Sequence, residues 1–216
     1  MKDFFIVSGG ALEDGLVCRM LEVQRPDVTI AADAGMEFFY RNGRNPDIII
    51  GDFDSAGSSA FTHFKEQPGV EIKLLNPVKD DTDTEAAVRL AIARGARQIT
   101  LVGGTGSRID HVLANIELLG IGLYAGVQMA LVDAHNRIRM LKEGLTLRRE
   151  EQFGSYVSLL PYSGSVEHLT LRGFKYPLSD FSLRGFCSLG VSNEIVEEEA
   201  VITFDGGILL LVESRD

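Results

Sequence analysis

Short β-branched runs alternate with helical patterns through the first two-thirds of the chain, and this alternation limits the possible folds more than any other feature. The predicted strands are Phe4–Ser8, Thr29–Ala32, Asp47–Ile50, Val70–Leu74, Ile99–Val102 and Val127–Val132. The predicted helices are Gly15–Val23, Met36–Arg41, Thr62–Glu66, Thr84–Arg94 and Asp110–Leu123. Strands separated by helices are typical of βαβ units, so we expect a parallel sheet.

The pattern changes after about Asp133, where short strand-like runs are separated by Gly, Pro and Ser. These runs are Arg137–Leu141, Gly154–Leu160, Val166–Leu171, Ala200–Phe204 and Ile208–Val212. We expect an α/β chain with a parallel-sheet domain at residues 1–134, followed by a smaller all-β sandwich domain at residues 135–216.

Composition excludes some classes of partner. The net charge of −10 and the pI near 4.9 argue against nucleic acid, whose binding proteins normally carry a basic excess. Only Cys18 and Cys187 occur, far apart, and no apolar stretch is long enough to span a membrane. The N-terminus lacks the apolar core of a secretion signal, so we expect a cytoplasmic protein that binds no membrane.

Clustered carboxylates follow the third predicted strand. Asp52 and Asp54 are two residues apart, and on extended chain they would point to the same side. Like charges held close repel, whereas a hard divalent cation is bound by carboxylate oxygens. The alternative is that Asp54 or Ser55 simply caps the next helix.

A second acidic stretch, Lys79-Asp-Asp-Thr-Asp83, precedes the fourth helix. Thr82 and Glu85 have the spacing of a capping box, and Asp83 would lie in the first turn, where the helix dipole favours an ionised ligand. Lys79 is either a surface ion pair or a phosphate contact.

A glycine-rich turn, Gly103-Gly-Thr-Gly-Ser-Arg108, lies between a predicted strand and helix. Glycine lets backbone approach an anion, and Arg108 adds a forked cationic donor. The turn fits neither the Rossmann nor the P-loop pattern, and it could serve only the change of direction. Asp110 either caps the next helix or orients Arg108.

These groups share one place in the predicted fold. Asp33, Asp52, Asp54 and the Gly103 turn all fall at carboxyl ends of strands, where parallel sheets bind ligands. We therefore expect a single site, and a metal-dependent enzyme that acts on a nucleotide.

With these motifs placed, the chain resembles the thiamine pyrophosphokinase family over nearly its whole length. The motifs that carry the resemblance are Ala32–Gly35, Gly51–Ser55, Lys79–Asp83, Gly103–His111 with Asn115, and Gly190–Glu194. The resemblance implies an α/β nucleotide-binding domain and a β-sandwich domain in a homodimer with active sites at the subunit interface. It implies transfer of the diphosphate of ATP to the hydroxyl of thiamine, with release of AMP.

Carried over by motif, the resemblance implies that Mg²⁺ is held by Asp52, Asp54 and Asp83, and that thiamine is contacted by Tyr176, Ser192 and Asn193. The residues expected to bind ATP are Asp33, Lys79, Thr82, Gly103, Gly104, Gly106, Ser107, Arg108 and Asp110. The expected catalytic residues are Asp81, Asp83, Arg108 and Asp110, with Asp81 or Asp110 taking the hydroxyl proton. Two departures from the family pattern are Ala34, where a glycine is expected, and the absence of Trp.

Three other functions fit parts of the pattern. A pyrophosphokinase acting on a pterin alcohol would use the same ATP chemistry, although Gly190–Glu194 favours thiamine. A non-catalytic nucleotide sensor would bind the nucleotide without forming AMP, and a metal-dependent phosphohydrolase would turn over without thiamine.

Overall fold

The chain divides into two compact units in a computed structural model that describes residues 1–53, 59–76 and 80–216. The first unit is Met1–Ala134 and the second is His135–Asp216. Within the described residues, no helix is both long and apolar enough to cross a bilayer.

The first unit is a parallel sheet with helices in the connections, as predicted. Its strands are β1 (Lys2–Val7), β2 (Val28–Ala32), β3 (Ile48–Gly51), β4 (Glu71–Leu74), β5 (Ala96–Val102) and β6 (Gln128–Val132). Its helices are α1 (Asp14–Gln24), α2 (Met36–Arg41), α3 (Ser59–Lys65), α4 (Asp83–Ala93) and α5 (Ile109–Tyr124), with a 3₁₀ turn at Asp33–Gly35. The strand order is β4-β3-β2-β1-β5-β6, and every neighbouring pair is parallel.

Strand β1 lies at the centre of this topology. The chain adds β2, β3 and β4 on one side of β1 and then returns to place β5 and β6 on the other. Its residues Phe4–Val7 are buried, as expected for a strand covered on both faces. Ligands of open α/β sheets bind beyond the carboxyl ends of the strands where the order reverses, which here is between β1 and β5.

Helix α4 begins at Asp83 because Thr82 caps it. The Thr82 hydroxyl accepts a hydrogen bond from the Glu85 N–H at 3.1 Å, which confirms the predicted cap. The Glu85 carboxylate accepts bonds from Arg89 one turn later. The buried face of α4 is Thr84, Ala87, Val88 and Ala91.

The second unit is a β-sandwich, also as predicted. Its strands are β7 (Asn136–Leu141), β8 (Leu145–Arg148), β9 (Tyr156–Pro161), β10 (Ser165–Arg172), β11 (Leu178–Arg184), β12 (Glu199–Asp205) and β13 (Leu209–Ser214). Strand β13 pairs antiparallel with β7 and β9, and the other sheet has the order β11-β10-β12-β8. Apolar residues from both sheets form a shared core. Strands β8 and β11 were not predicted.

A buried ion cluster extends this core. Glu213 on β13 follows the core residues Leu209 and Leu211 at alternate positions and is fully buried. Its carboxylate accepts hydrogen bonds from Arg137 at 2.6 and 2.7 Å and from Arg139 at 2.8 Å. Two cations therefore satisfy one buried anion inside the second unit.

Candidate active site

A cavity of about 850 Å³ opens at the carboxyl edge of the first unit's sheet. This volume is in the range of small-molecule sites. The loops after β1, β2, β3 and β5 and the first turns of α4 and α5 contribute its walls. The lining residues are Ser8, Gly9, Gly10, Ala11, Asp33, Ala34, Asp52, Asp81, Thr82, Asp83, Thr84, Gly103, Gly104, Thr105, Gly106, Ser107, Arg108, His111 and Asn115.

Three carboxylates converge in this cavity from the turn after β2, the loop after β3 and the first residue of α4. One oxygen each from Asp33, Asp52 and Asp83 lies within 4.8 Å of the others, and all three residues are partly buried. Asp33 also has a φ of 46°, in the left-handed region that a residue with a side chain rarely adopts. Three convergent carboxylates suit a hard cation such as Mg²⁺, which prefers oxygen ligands.

The backbone after β3 is not extended as predicted, and the set of converging carboxylates differs from the predicted metal ligands. Strand β3 ends at Gly51, and Phe53 has a φ of 50°. The premise that Asp52 and Asp54 lie on extended chain is therefore wrong, because Phe53 breaks the alternation of side chains. Asp54 lies outside the described residues, while Asp33, expected only to bind ATP, joins Asp52 and Asp83.

The glycine turn after β5 is packed tightly against the loop after β1. The Gly10 N–H donates to the Gly103 carbonyl at 2.8 Å, and the Ala11 N–H donates to the Thr105 carbonyl at 2.7 Å. Gly103 has a φ of 69°, and a Cβ there would lie 2.2 Å from the Ser8 carbonyl oxygen. Glycine at 103 is thus required by both conformation and space.

Sequence reasoning missed the loop Ser8–Ala11, although it lines the cavity. The signal was present, since Ser8-Gly-Gly directly follows the apolar strand β1, as the other site motifs follow theirs. A further contact comes from Asn115, whose buried Nδ2 donates to the Gly104 carbonyl at 2.8 Å. This bond fixes the glycine turn to helix α5.

Arg108 lines the cavity and forms an ion pair with Asp110. Its Nε and Nη2 donate to the two oxygens of Asp110 at 3.2 and 2.5 Å. The hydrogen bond from Arg108 lowers the pKa of Asp110, so that carboxyl is ionised and weakly basic at neutral pH. Helix α5 has no side-chain cap, so of the two roles left open for Asp110 the structure has the pairing with Arg108. Asp110 does not itself line the cavity.

The remaining predicted residues of the first unit divide into two groups. Asp81, Thr82, Gly104, Gly106 and Ser107 line the cavity. Lys79 lies outside the described residues, so its two interpretations stay open.

The residues predicted to contact thiamine lie close together in the second unit. The Asn193 side-chain oxygen accepts the Tyr176 N–H at 3.0 Å, and its Nδ2 donates to the Tyr176 carbonyl at 2.8 Å. Asn193 is buried, whereas the Tyr176 side chain is exposed. Ser192 has a φ of 59°, and its N–H donates to the Ser158 hydroxyl at 3.0 Å. Asn193 therefore holds Tyr176 beside Ser192.

The fold and this cavity define an α/β protein with an acidic, glycine-lined cavity at the switch point of a parallel sheet, followed by a β-sandwich unit. Residues 21–130 match the family described as thiamin pyrophosphokinase, catalytic domain. Residues 144–209 match the thiamin pyrophosphokinase, vitamin B1 binding domain.

Individual proteins agree with these matches. A thiamine pyrophosphokinase of Bacillus subtilis (strain 168) is 32% identical over 187 residues, covering 87% of each chain. The crystal structure of thiamine pyrophosphokinase from Bacillus subtilis superposes with a TM-score of 0.88 at 31% identity, covering all of both chains. That of the enzyme from Geobacillus thermodenitrificans gives 0.85 at 31% identity, covering 99% of this chain and 98% of the other. The chain belongs to the thiamine pyrophosphokinase family and is a diphosphotransferase.

Proposed function

We propose that this enzyme transfers the diphosphate of ATP to the hydroxyl of thiamine with Mg²⁺, giving thiamine diphosphate and AMP. The observation that carries the proposal is the convergence of Asp33, Asp52 and Asp83 within 4.8 Å beside the Gly103 turn. Carboxylates beside a glycine turn suit a triphosphate, whose charge a divalent cation neutralises.

Each group at the edge of the sheet has a separate task in this proposal. Asp33, Asp52 and Asp83 would hold Mg²⁺, with Asp54 as a further expected ligand from the segment outside the described residues. When bound, the ion neutralises charge on the triphosphate oxygens. The Gly103 turn and Arg108 bind phosphate, since backbone N–H groups and a guanidinium both donate to phosphate oxygens.

The reaction forms a bond between the thiamine hydroxyl oxygen and the β-phosphorus of ATP. The bond from that phosphorus to the oxygen bridging to the α-phosphate breaks, and AMP leaves. Such a transfer depends mainly on positioning and on charge stabilisation. We assign the hydroxyl proton to Asp81, which lines the cavity, rather than to Asp110, whose pKa is lowered by its hydrogen bond from Arg108.

We further propose that Tyr176, Ser192 and Asn193 form the thiamine pocket and that the enzyme is a homodimer with active sites at the subunit interface. Support comes from the apolar side chains that the second unit leaves exposed around this segment, namely those of Tyr176, Phe186, Leu189 and Val191. Large exposed apolar side chains that lie together would be covered by a ligand or a partner subunit. The free thiols Cys18 and Cys187 support a cytoplasmic location.

Product analysis tests the reaction. The protein is incubated with ATP, Mg²⁺ and either thiamine or a pterin alcohol, and the products are identified by mass spectrometry. The proposal expects thiamine diphosphate and AMP in equal amounts, and neither without thiamine. Three other results would each support one of the alternative functions in place of this proposal. They are AMP formed only with the pterin alcohol, phosphate released without any acceptor, and ATP binding without product.

Mixing two impaired variants tests the dimer. Asp52→Asn removes a group of the first unit, and Tyr176→Ala removes one of the second. If the active site is shared between subunits, mixed dimers regain activity, because one of their two sites carries neither substitution. Light scattering supplies the mass, and a monomer under assay conditions contradicts this part of the proposal.

A further inference from the structure

A buried pair of hydroxyl groups lines the same cavity as the carboxylate cluster and was not singled out from the sequence. The Ser8 Oγ and the Thr84 Oγ1 are 2.6 Å apart, and both residues are only 7% exposed. Ser8 directly follows β1, and Thr84 is the second residue of α4, immediately after Asp83. One hydroxyl donates and the other accepts, so the pair connects the central strand to the helix that carries Asp83.

Ser8 is also fixed by its backbone. Its N–H donates to the Val102 carbonyl at 2.9 Å, and its own carbonyl oxygen lies where a Cβ of residue 103 would be. A Cβ at Gly35, two residues after Asp33, would lie 1.9 Å from the Val7 carbonyl oxygen. The end of β1 is thus packed between the turn that carries Asp33 and the Gly103 turn.

The buried face of α4 packs on the sheet, and the Thr84 hydroxyl adds a hydrogen bond between the helix's first turn and Ser8. Because Thr84 adjoins Asp83, loss of this hydrogen bond lets the first turn shift relative to the other two carboxylates. A cation held by three carboxylates tolerates little displacement of one of them.

We propose that Ser8 and Thr84 are positioning residues that hold the Asp83 carboxylate at its distance from Asp33 and Asp52. This inference rests on the proposed function, because it assigns the pair a purpose in the same metal site. In this role the two hydroxyls act through Asp83 and not as ligands of the ion.

A double-mutant cycle tests this role. The variants are Ser8→Ala, Thr84→Val and the two together, with Thr84→Ser as the variant that keeps the hydroxyl. Mn²⁺ alone serves as the probe, and its binding is followed by electron paramagnetic resonance. Each single substitution is expected to weaken Mn²⁺ binding by about 10- to 100-fold, the usual effect of removing a group that orients a metal ligand. The double variant is expected to bind Mn²⁺ about as tightly as whichever single variant has the lower affinity. Thr84→Ser is expected to bind Mn²⁺ as tightly as the wild type does.

A matched control separates positioning from general stability. Thr100 is 3% exposed, and its hydroxyl donates to Gln24 at 3.0 Å, but it does not line the cavity. Thr100→Val is expected to lower the melting temperature without changing Mn²⁺ binding. Equal weakening of Mn²⁺ binding by Thr100→Val would overturn the proposal. Additive losses in the double variant, or unchanged binding in both single variants, would do the same.

Assays of thiamine diphosphate formation on the same preparations distinguish failure of the positioning role from failure of the proposed function. Product from the wild type together with unchanged Mn²⁺ binding in the variants would overturn the positioning role and leave the function standing. The predicted Mn²⁺ losses without product from the wild type would overturn the function and leave the positioning role standing. Failure of the wild type to bind Mn²⁺ would overturn the positioning role.

Discussion

Replacing Asp52 with Asn should have two opposite effects, a loss of turnover and a gain in the stability of the metal-free protein. Asp33, Asp52 and Asp83 have oxygens within 4.8 Å of one another, so without a cation the cluster contains three repulsive pairs. Asp52→Asn keeps a similar shape and removes the charge common to two of those pairs.

The size of the expected gain in stability follows from the distance between the carboxylate oxygens. Two unit charges 4.8 Å apart repel by about 0.9 kcal/mol in a water-like dielectric and by about 3.5 kcal/mol at an effective dielectric of about 20. The carboxylates are partly exposed, so the lower value applies, and removing two pairs should stabilise the metal-free protein by about 1–2 kcal/mol. For a chain of this size, the melting temperature should rise by about 2–8 °C. Turnover should fall by about 10²- to 10³-fold, as when one electrostatic group of an active site is removed.

The assay is thermal unfolding in EDTA and in Mg²⁺, combined with kcat for thiamine diphosphate formation. The wild type should gain stability from Mg²⁺, and Asp52→Asn should gain much less. Glu66→Gln is the control, because it removes an exposed carboxylate of the same unit that does not line the cavity. A melting temperature in EDTA that is unchanged or lower in Asp52→Asn would refute the electrostatic reasoning, and near-wild-type turnover would remove Asp52 from the metal site.

Three further predictions concern other parts of the molecule. Arg108→Lys should raise the KM for ATP by about tenfold, because a point charge cannot replace a forked donor; unchanged kinetics would place Arg108 outside the site. Tyr176→Ala should raise the KM for thiamine more than the KM for ATP, while Tyr176→Phe should have little effect; equal effects on both substrates would argue against a thiamine contact. Burial raises the pKa of Glu213, but the hydrogen bond from Arg137 and the charges of Arg139 and Arg137 outweigh it, so the pKa lies below its ordinary value of 4.5. Glu213→Gln should therefore destabilise the second unit by about 3–5 kcal/mol at neutral pH. This difference should disappear as the pH falls below 4.5 through the lower folded-state pKa, and a difference that is constant with pH would contradict the assignment.

Much of this architecture was predictable because strand and helix periodicities are local properties of sequence. The run Phe4–Ser8 indicated a strand, and the topology of parallel sheets then predicted that the motifs after the strands would lie at one edge. The cap on α4 was likewise local, because Thr82 and Glu85 are three residues apart.

The features that were predicted wrongly or not at all depend on backbone conformation or on tertiary contacts. The left-handed φ of Phe53 has no signal in Gly51-Asp-Phe-Asp-Ser55, and it ends the extended chain on which the Asp52 and Asp54 argument relied. Strand β11 was not predicted because most of its residues are exposed and polar. Its strand conformation depends on pairing with β10, which is a tertiary contact. The pairing of Ser8 with Thr84 joins residues 76 positions apart, which no local pattern can indicate.

We propose that carboxylates from three separate segments of the first unit hold one cation, and a crystal soaked in Mn²⁺ tests this most directly. Anomalous diffraction at the manganese edge should give one strong peak within bonding distance of Asp33, Asp52 and Asp83, beside the Gly103 turn. A map with no peak there, or with its main peak on a different face of the protein, would contradict the account.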